Sequence, residues 1–563
     1  MFKEKIVKEL TNVLESKGFE DISVEGFIEV PPSPELGDYA FPCFRLAKQM
    51  RKSPIEIATE LAGVFAELSW IKDVVANNGY LNFFIDPDHY SREVVGQILE
   101  QGEDYGARNY GGTVVIDFSS PNIAKPFSVG HIRSTVIGNS LAKIHKHLGF
   151  AVERINHLGD WGTQFGKLMV AYKSWGDSPA LQEEPLKELL RIYVKYHQEA
   201  EKDGSLDDNA RAWFKKLEDG DQEALELWKE FRKVSLIEFK RVYERLGVEF
   251  DSYDGESFFN DKMEAIVNYL EEKQLLSESD GALVVDVGED LPPCLIKKKD
   301  GATLYATRDI TAATYRWDKY KFEKLLYVVG VTQSLHFEQV FRVLKQMGYS
   351  WADRCIHVPF GTILFGEESM STRKGNVIFL EDILDQAVNK VKEILKERNL
   401  PADQGTDIAE KVGVGAVIFN ELSHNRIKDI EFDLDKIISF EGDTGPYVQY
   451  TLTRIKSLLR KADDREYNEF NPECLTDAEA LSLVRQLEKF PQVIEKAGRN
   501  NEPSLVARYC LDLAASFNSL YHNHRIIGSG EEMECARLAI TKATNLVLSL
   551  GLSLLGVPIP DAM

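Results

Sequence analysis

The sequence lacks several features that would place it in a specialised class. It has only six cysteines in 563 residues, and they are scattered singly as Cys43, Cys294, Cys355, Cys474, Cys510 and Cys535. No two of them have the spacing of zinc ligands, so we expect reduced structural thiols and no metal held by the protein. No stretch reaches the roughly 18 uncharged apolar residues that span a bilayer, and the charged start has no signal-peptide core. We therefore expect a cytoplasmic protein with no membrane partner.

Positive charge is also in deficit. The chain has 67 Lys and Arg against 90 Asp and Glu, a formal net charge of −23. This argues against a protein that coats nucleic acid nonspecifically, and we expect no DNA partner, because such binding comes from basic side chains neutralising phosphates. Short basic segments at 45–52 and 454–461 could still contact phosphates, although solvated helix faces would look the same.

Internal repeats and low-complexity tracts are absent, and the length exceeds what one core supports. We predict an α/β protein whose catalytic domain has a Rossmann-type parallel sheet. The predicted divisions are a small α/β domain at 1–105, the sheet domain at 106–385 with a helical insertion at about 173–245, a helical connecting region at 386–446, and a C-terminal helical bundle at 447–563.

The first candidate site follows a predicted strand. Residues 113–118 are mostly apolar or β-branched, and Ser119 to Asn122 lead into a helical pattern from about Val129. Free N–H groups and the positive end of a helix dipole at such a junction favour a phosphate-bearing ligand.

This first segment, Ser120 to His131, carries polar side chains where a core would favour apolar ones, namely Asn122, Lys125, Ser128 and His131. Pro121 and Pro126 stiffen the loop, and Gly130 would let a planar base approach the backbone. Taken alone, a Gly-His pair is more often a capping feature.

A second candidate segment runs from Gly366 to Gly375. Its glycine at each end permits hinge motion, while Arg373 and Lys374 could close on a triphosphate. An ordinary surface loop with two cations would show the same pattern. This segment therefore supports a functional site only in combination with the first segment.

A third cluster contains Tyr305 and Asp309. Four residues apart, they would share one helical face and present an aromatic ring beside a carboxylate. Such a pair suits a guanidinium, which stacks on rings and needs planar carboxylate acceptors. The alternative is a structural role for Asp309, as a cap or as the partner of a nearby cation.

The segment from Asn156 to Gly166 is dense in glycine and polar residues and follows the predicted strand 151–155. It predicts a loop that lines a site. A tight turn with Asp160 and Gln164 satisfying backbone groups is the alternative.

Together these segments closely resemble the arginyl-tRNA synthetase family of class I, nearly over the full length. The segments that carry the resemblance are Ser120 to Thr135, Asn156 to Gly166, Asp254 to Ser257, Met370 to Gly375 and Phe517 to His522, with Gly37 to Ala40 similar to the family's tRNA-contacting N-terminal extension. The resemblance implies activation of L-arginine with ATP and Mg²⁺, followed by transfer to the terminal adenosine of tRNA(Arg). It also implies an anticodon-binding C-terminal bundle, and we expect a monomer.

The resemblance further implies roles for individual residues. The implied catalytic residues are His131, Lys125, Arg373 and Lys374. The implied ATP-binding residues are Pro121, Asn122, Ser128, Gly130, His131, Met370 and Ser371. The implied arginine-binding residues are Asp117, Asn122, Tyr305, Asp309 and Gln333.

Two positions depart from the family pattern. Ser128 stands where the family usually has histidine, and a hydroxyl can donate to a phosphate but cannot carry an imidazolium charge. Ser369 stands where the second motif usually has its first lysine, so Lys125 is a candidate source of that charge.

Two rival functions remain open at this point. Another class I synthetase, such as the cysteinyl or glutaminyl enzyme, is disfavoured by the missing zinc ligands and by the Tyr305 and Asp309 pair. A non-catalytic tRNA-binding paralogue draws support only from Ser128 and Ser369.

Overall fold

The computed structural model describes residues 1–19, 24–65, 68–299, 305–364, 378–397, 402–462 and 469–563. The chain folds into two compact units. Unit 1 comprises Met1–Tyr105, Arg454–Pro491 and Asp512–Leu548, and unit 2 comprises Gly106–Thr453, Gln492–Leu511 and Ser549–Met563.

Unit 1 begins with an α/β segment. Its elements up to residue 105 are α1 (Phe2–Ser16), β1 (Tyr39–Pro42), α2 (Ala47–Met50), α3 (Pro54–Phe65), β2 (Ile71–Asn77), β3 (Tyr80–Ile85) and α4 (Pro87–Gln101). The strands form an antiparallel sheet in the order β1-β3-β2. Apolar residues of α1 recur at helical spacing, and Phe2, Ile6, Leu10 and Leu14 are all buried.

One buried carboxylate ties this segment to the helical part of unit 1. Glu488 accepts hydrogen bonds from the hydroxyls of Tyr39 and Tyr90, both at 2.5 Å. It also accepts one from the backbone N–H of Phe2 at 3.3 Å. These donors satisfy a charge that would be costly to bury alone.

Unit 2 contains the parallel sheet predicted from the sequence. Its strands are β4 (Thr113–Asp117), β5 (Ala151–Ile155), β9 (Lys324–Gly330) and β10 (Cys355–Phe360). They pair in the order β10-β9-β4-β5, every pair parallel. The predicted α/β class with a parallel sheet is therefore confirmed, and the carboxyl ends of these strands share one edge.

Helices and small sheets surround that parallel sheet. The helices are α5 (Ile132–His147), α6 (Thr163–Trp175), α7 (Ser178–Glu183), α8 (Pro185–Ala200), α9 (Ser205–Glu218), α10 (Gln222–Leu246), α11 (Met263–Glu272), α12 (Tyr305–Tyr320), α13 (Ser334–Gln346), α14 (Leu380–Glu397), α15 (Ala402–Ser423) and α16 (Leu434–Ile437). The remaining strands are β6 (Leu276–Ser279), β7 (Ala282–Val285) and β8 (Cys294–Lys297), which form an antiparallel sheet, and the pair β11 (Ile363–Leu364) and β12 (Ile430–Glu431).

The last fifth of the chain, from Gly445 onward, is helical, as its apolar periodicity predicted. Its helices are α17 (Gly445–Lys461), α18 (Ala478–Glu488), α19 (Phe490–Asn500), α20 (Ser504–Asn523) and α21 (Glu531–Leu555). By length and composition, α21 could cross a membrane, but 67% of its apolar window is buried within the fold, as in a core helix of a bundle. All six cysteines are free thiols.

Candidate active site

The loop that follows β4 has a strained backbone. Ser119, Ser120 and Ala124 have φ values of 68°, 45° and 61°, in the left-handed region that residues with a Cβ seldom occupy. Three such residues within six positions concentrate strain at the carboxyl edge of the sheet. Such clusters persist only where the surrounding structure holds them, and they are typical of functional loops.

Buried side chains hold this strained loop from two directions. From α5, the Ser134 hydroxyl accepts the backbone N–H of Ser119 at 2.8 Å, and the Thr135 hydroxyl lies 2.7 Å from that of Ser119. From α10, the Tyr243 hydroxyl lies 2.8 Å from the same Ser119 hydroxyl, and the Ser235 hydroxyl accepts the N–H of Ala124 at 2.8 Å. Helix α10 thus supports the loop directly.

Replacing Tyr243 by Phe tests that support. The buried Tyr243 hydroxyl also accepts a hydrogen bond from Asn156 Nδ2 at 2.9 Å, so its removal leaves that buried amide N–H unpaired and takes one of two hydroxyl partners from Ser119. We expect the free energy of unfolding to fall by about 1–3 kcal/mol. For the adenylation that the resemblance implies, we expect a rate roughly tenfold lower, with the KM for ATP changing less, because the loop is misplaced while the binding residues remain.

Urea unfolding and pyrophosphate exchange measure the two effects. Tyr253→Phe is the matched control. Within the described part of the chain the Tyr253 hydroxyl makes no hydrogen bond, and the Tyr253 ring contacts Phe250, as the Tyr243 ring does. Equal losses in both variants would show that any change of a tyrosine in this region has this effect.

His131 stands at the end of this loop, in a 3₁₀ turn (Val129–His131) that leads into α5. The backbone N–H of Ser128 donates to His131 Nδ1 at 3.1 Å, and the Ser128 hydroxyl lies 3.1 Å from the same nitrogen. Nδ1 also lies 3.2 Å from the Ser128 carbonyl. In the tautomer whose Nδ1 accepts from the Ser128 N–H, the proton of the neutral ring is on Nε2. Burial lowers the pKa of His131 and the charge of Lys125 lowers it further, against the hydrogen bond with the Ser128 backbone. His131 is therefore a neutral N–H donor at neutral pH.

The predicted loop from Asn156 to Gly166 packs directly against the first segment. The N–H of Ile123 donates to the Gly159 carbonyl at 3.2 Å, and the N–H of Gly159 donates to the Pro121 carbonyl at 3.1 Å. A Cβ on Gly159 would stand 2.1 Å from Oδ1 of Asn122. Glycine is therefore required here for close approach, and it leaves Asn122 exposed at the sheet edge.

Asp160, in the same loop, has a structural role. Its buried carboxylate accepts from the N–H and hydroxyl of Ser257 at 2.8 and 2.9 Å and pairs with Arg232 at 3.1 Å. The alternative interpretation of this residue, a carboxylate that satisfies nearby donors, matches these contacts.

Gly159→Ala should disturb the site through Asn122. The new methyl group would collide with the Asn122 side chain, and we expect the free energy of unfolding to fall by about 1–3 kcal/mol, as in overpacked sites. Adenylate formation should fall at least tenfold, roughly the effect of a displaced substrate-binding group.

The control is Gly96→Ala in α4, where a Cβ meets nothing within 4 Å. Denaturant unfolding should show that variant to be neutral or slightly more stable, by up to about 1 kcal/mol. A Gly159→Ala enzyme with normal exchange activity would contradict the close packing of the two loops.

The flank of the second segment lies against the first. The predicted residues Met370, Ser371, Arg373 and Lys374, with Ser369, lie outside the described residues. The chain that follows them is described, and it pairs with the first segment: Val129 N–H donates to the Ile378 carbonyl at 3.1 Å, and Leu380 N–H donates to the Phe127 carbonyl at 3.0 Å. The fold therefore brings residues 378–380, which follow the second segment in the chain, to within a backbone hydrogen bond of the turn that carries His131.

The candidate guanidinium residues lie at the same edge. Tyr305, the first residue of α12, is 65% exposed, and Gln333 is exposed in the turn that precedes α13. Asp309 accepts a hydrogen bond from His336 Nε2 at 2.5 Å, which places the carboxylate beside α13, the helix that follows Gln333. Burial would raise the pKa of Asp309, but the bond from His336, with His157 and Arg316 nearby, lowers it overall. Asp309 is therefore an anion at neutral pH.

Asp117 is already engaged by the protein. Its Oδ2 pairs with Arg316 at 2.8 Å, both side chains being buried, and its Oδ1 accepts from the Ser120 hydroxyl at 2.9 Å. A substrate amino group would have to share this carboxylate.

Sequence reasoning missed Arg316 and His336, because each is defined by a partner far away in the chain. It also gave no role to Glu256, whose carboxylate lies 3.5 Å from Arg308. Burial raises the pKa of Glu256 to about 7, although Arg308 opposes this. A cavity of about 540 Å³ beside Tyr305 and Arg308 extends to Gln164 and Trp161, so the Asn156 to Gly166 loop does line an open space.

These features define a nucleotide-binding enzyme of the class I synthetase type, with a histidine turn at the carboxyl edge of a parallel sheet and residues 378–380 paired beside it. A family model described as "tRNA synthetases class I (R), catalytic domain" matches residues 94–434. The DALR anticodon binding domain matches residues 448–563, and the arginyl tRNA synthetase N terminal domain matches residues 1–85.

Full-length relatives agree. The chain is 49% identical over 565 residues to an arginine–tRNA ligase of Alkaliphilus metalliredigens, with 100% of both chains covered. It is 51% identical over 569 residues to arginine–tRNA ligase 2 of Bacillus anthracis, covering 100% of this chain and 99% of the relative. The solved arginyl-tRNA synthetase of Thermus thermophilus superposes with a TM-score of 0.85 at 26% identity, over 100% of both chains. The chain belongs to the arginyl-tRNA synthetase family.

Proposed function

We propose that this chain joins L-arginine to tRNA(Arg) in two steps. The arginine carboxylate attacks the α-phosphate of ATP, forming arginyl-adenylate and releasing pyrophosphate. A hydroxyl of the terminal adenosine of the tRNA then attacks the arginyl carbonyl, and AMP leaves. The observation that supports this proposal is the pairing of residues 127–129 with residues 378–380, which brings the chain that follows the second segment beside the His131 turn.

His131 stabilises the first transition state in this proposal. Its Nε2 proton is free to donate as negative charge develops on the α-phosphate, and Ser128 holds the ring from the other side. Ser128 therefore has two roles in this proposal: it holds the His131 ring in place, and it is one of the ATP-binding residues. The exposed Gly130 lets the nucleotide approach the turn.

The remaining ATP contacts come from the loops. Pro121, Asn122, Met370 and Ser371 complete the proposed nucleotide site. Lys125, Arg373 and Lys374 neutralise the pyrophosphate as it leaves, and Mg²⁺ accompanies ATP on its phosphates.

Arginine is selected on α12 and at the start of α13. The anionic Asp309 faces the guanidinium, the exposed ring of Tyr305 stacks on it, and Gln333 adds a polar contact. Asn122 and Asp117 hold the amino-acid end. Because Arg316 already pairs with Asp117, the substrate amino group must share the Asp117 carboxylate with that guanidinium.

In this proposal the four domains predicted from the sequence are functional domains. Residues 1–105 and 447–563 contact the tRNA, and the sheet domain performs the chemistry. The enzyme works in the cytoplasm as a monomer.

Acylation of total tRNA tests the proposal. Incubating the chain with tRNA, ATP and all amino acids, then digesting the product to aminoacyl-adenosine, should yield arginyl-adenosine by mass spectrometry. Another aminoacyl group in its place would contradict the assigned substrate, and binding of tRNA with no ester formed would contradict the reaction.

A further inference from the structure

One arginine outside the candidate active site joins three parts of unit 2. Arg426 lies in the loop between α15 and β12, residues 424–429, and its side chain is 15% exposed. Its Nη1 donates to the Pro359 carbonyl at 2.8 Å, and its Nε donates to the Asn501 carbonyl at 3.0 Å. The planar guanidinium thus connects this loop to the carboxyl end of β10 and to the turn between α19 and α20.

A carboxylate and the backbone add to this connection. The Glu502 carboxylate, in a residue only 9% exposed, lies 3.8 Å from Arg426 Nε and accepts the Arg426 N–H at 3.4 Å and the Ser504 hydroxyl at 2.8 Å. On the other side, the Gly361 N–H donates to the Arg426 carbonyl at 2.8 Å. A Cβ on Gly361 would stand 2.6 Å from the Ile427 carbonyl oxygen, so the chain after β10 packs directly against the loop.

The same loop also contacts the elements that flank the two candidate segments. The Lys428 carbonyl accepts from Arg133 Nη1 at 2.8 Å, and Arg133, 1% exposed, follows His131 by two residues at the start of α5. The Asp429 carboxylate accepts the Thr362 N–H at 2.6 Å, just before the paired strands β11 and β12. Loop 424–429 is therefore bonded both to the helix that follows the first segment and to the chain that leads to the second.

Stability alone is a weak reason for a guanidinium at this position. Burial lowers the pKa of Arg426, against the attraction of Glu502. Well-packed apolar side chains often stabilise a fold as well as a buried ion pair does. A guanidinium supplies something else, because its rigid fork fixes the distance and angle between the groups that it binds. Such precision matters in an enzyme, since a displacement of about 1 Å caused far from the chemistry can cost about a hundredfold in rate.

We propose that Arg426 is a positioning residue for adenylate formation. It fixes loop 424–429 between β10 and the α19–α20 turn, and through Lys428 and Asp429 the loop holds α5, with its His131 turn, in register with the strand that leads to the second segment. Arg426 acts through these contacts and not on a substrate. This inference rests on the proposed function, because it concerns the first step of that reaction.

Arg426→Met tests the proposal on the full chain. The assay uses enzyme in saturating excess over γ-labelled ATP, with arginine and total tRNA present, so the rate constant for pyrophosphate release does not depend on an unfolded fraction. We expect this rate constant to fall roughly 10- to 100-fold. The Kd for arginine in calorimetry should be unchanged, because the proposed arginine-binding residues lie on other elements. Arg426→Lys keeps the charge but cannot span both carbonyls, so its rate constant should also stay low.

A double variant separates positioning from stability. Arg426→Met leaves the Glu502 carboxylate without its cation, and adding Glu502→Gln removes that buried charge. We expect the urea midpoint of the double variant to return towards that of the unsubstituted chain, while the rate constant stays low. The matched control is Arg342→Met, which also removes contacts to a carbonyl, of Val287 at 3.0 Å, and to a carboxylate, of Asp290 at 2.6 Å, elsewhere in unit 2. Its rate constant should be normal.

Three results would overturn the inference. They are an undiminished rate constant in Arg426→Met, full recovery in Arg426→Lys, which would show that only the charge matters, and recovery of the rate constant together with the urea midpoint in the double variant. If Arg426→Met does not fold, the lysine and double variants still decide the question. Failure of the proposed function looks different, because the unsubstituted chain would then release no pyrophosphate with arginine.

Discussion

His131→Ala should lower the rate of arginyl-adenylate formation by about two to three orders of magnitude. This is the scale of loss when one preorganised donor to developing charge is removed from a site. The structure gives the reason for a loss of this size: Ser128 fixes the ring through Nδ1, which leaves the Nε2 proton for the phosphate. Single-turnover measurement of adenylate formation at saturating ATP and arginine isolates this step.

Two companion variants separate donation from packing. His131→Gln retains an N–H donor near the Nε2 position and should recover part of the rate. Ser128→Ala removes one contact to the ring and should cost roughly tenfold or less, since the backbone N–H still holds Nδ1. An alanine variant with undiminished adenylate formation would remove His131 from the mechanism.

Asp309→Asn should weaken arginine binding by about 30-fold or more, while ATP binding is retained. Removing one charge of a desolvated, hydrogen-bonded pair costs about 2–5 kcal/mol. Here the amide loses the charge that faces the guanidinium, and its N–H group can meet the N–H of His336, which now donates to Asp309 at 2.5 Å.

Calorimetry with arginine, a non-hydrolysable ATP analogue and tRNA measures this change. Asp318→Asn is the control on the same helix, because Asp318 is exposed and pairs only with Lys321, at 3.1 Å, in the described chain. Unchanged arginine affinity in Asp309→Asn would place the guanidinium pocket elsewhere.

The parts of the site that could be predicted from sequence are those set by local pattern. An apolar, β-branched run predicted β4, and the helical pattern after Val129 predicted α5, which together place His131 at the sheet edge. Likewise Tyr305 and Asp309 both lie on α12, as their spacing indicated.

What could not be predicted depends on contacts between distant parts of the chain. Ser119, Ser120 and Ala124 adopt positive φ although serine and alanine do not favour it, because α5 and α10 hold the loop. Likewise the pairing of Arg316 with Asp117 joins residues about two hundred positions apart, and no local pattern indicates it. The strand prediction also ran one residue too far, since the backbone turns after Asp117.

The division of the chain into compact units could not be predicted from the sequence either, because it too depends on contacts between distant parts of the chain. Unit 1 combines the first 105 residues with two later segments that sequence composition assigns to a separate bundle. Tyr39 and Tyr90 donate to Glu488 within that unit, and such a network is visible only once the chain is folded. The predicted four-domain division remains a prediction of functional parts.

Arginine-specific activation by His131 and its loop can be tested in one assay, the exchange of labelled pyrophosphate into ATP with each of the twenty amino acids, in the presence and absence of total tRNA. We expect exchange with arginine alone among the amino acids, and we expect His131→Ala to reduce it to a few per cent or less. Exchange with a different amino acid, or no exchange with arginine when tRNA is present, would show that the assigned reaction is wrong.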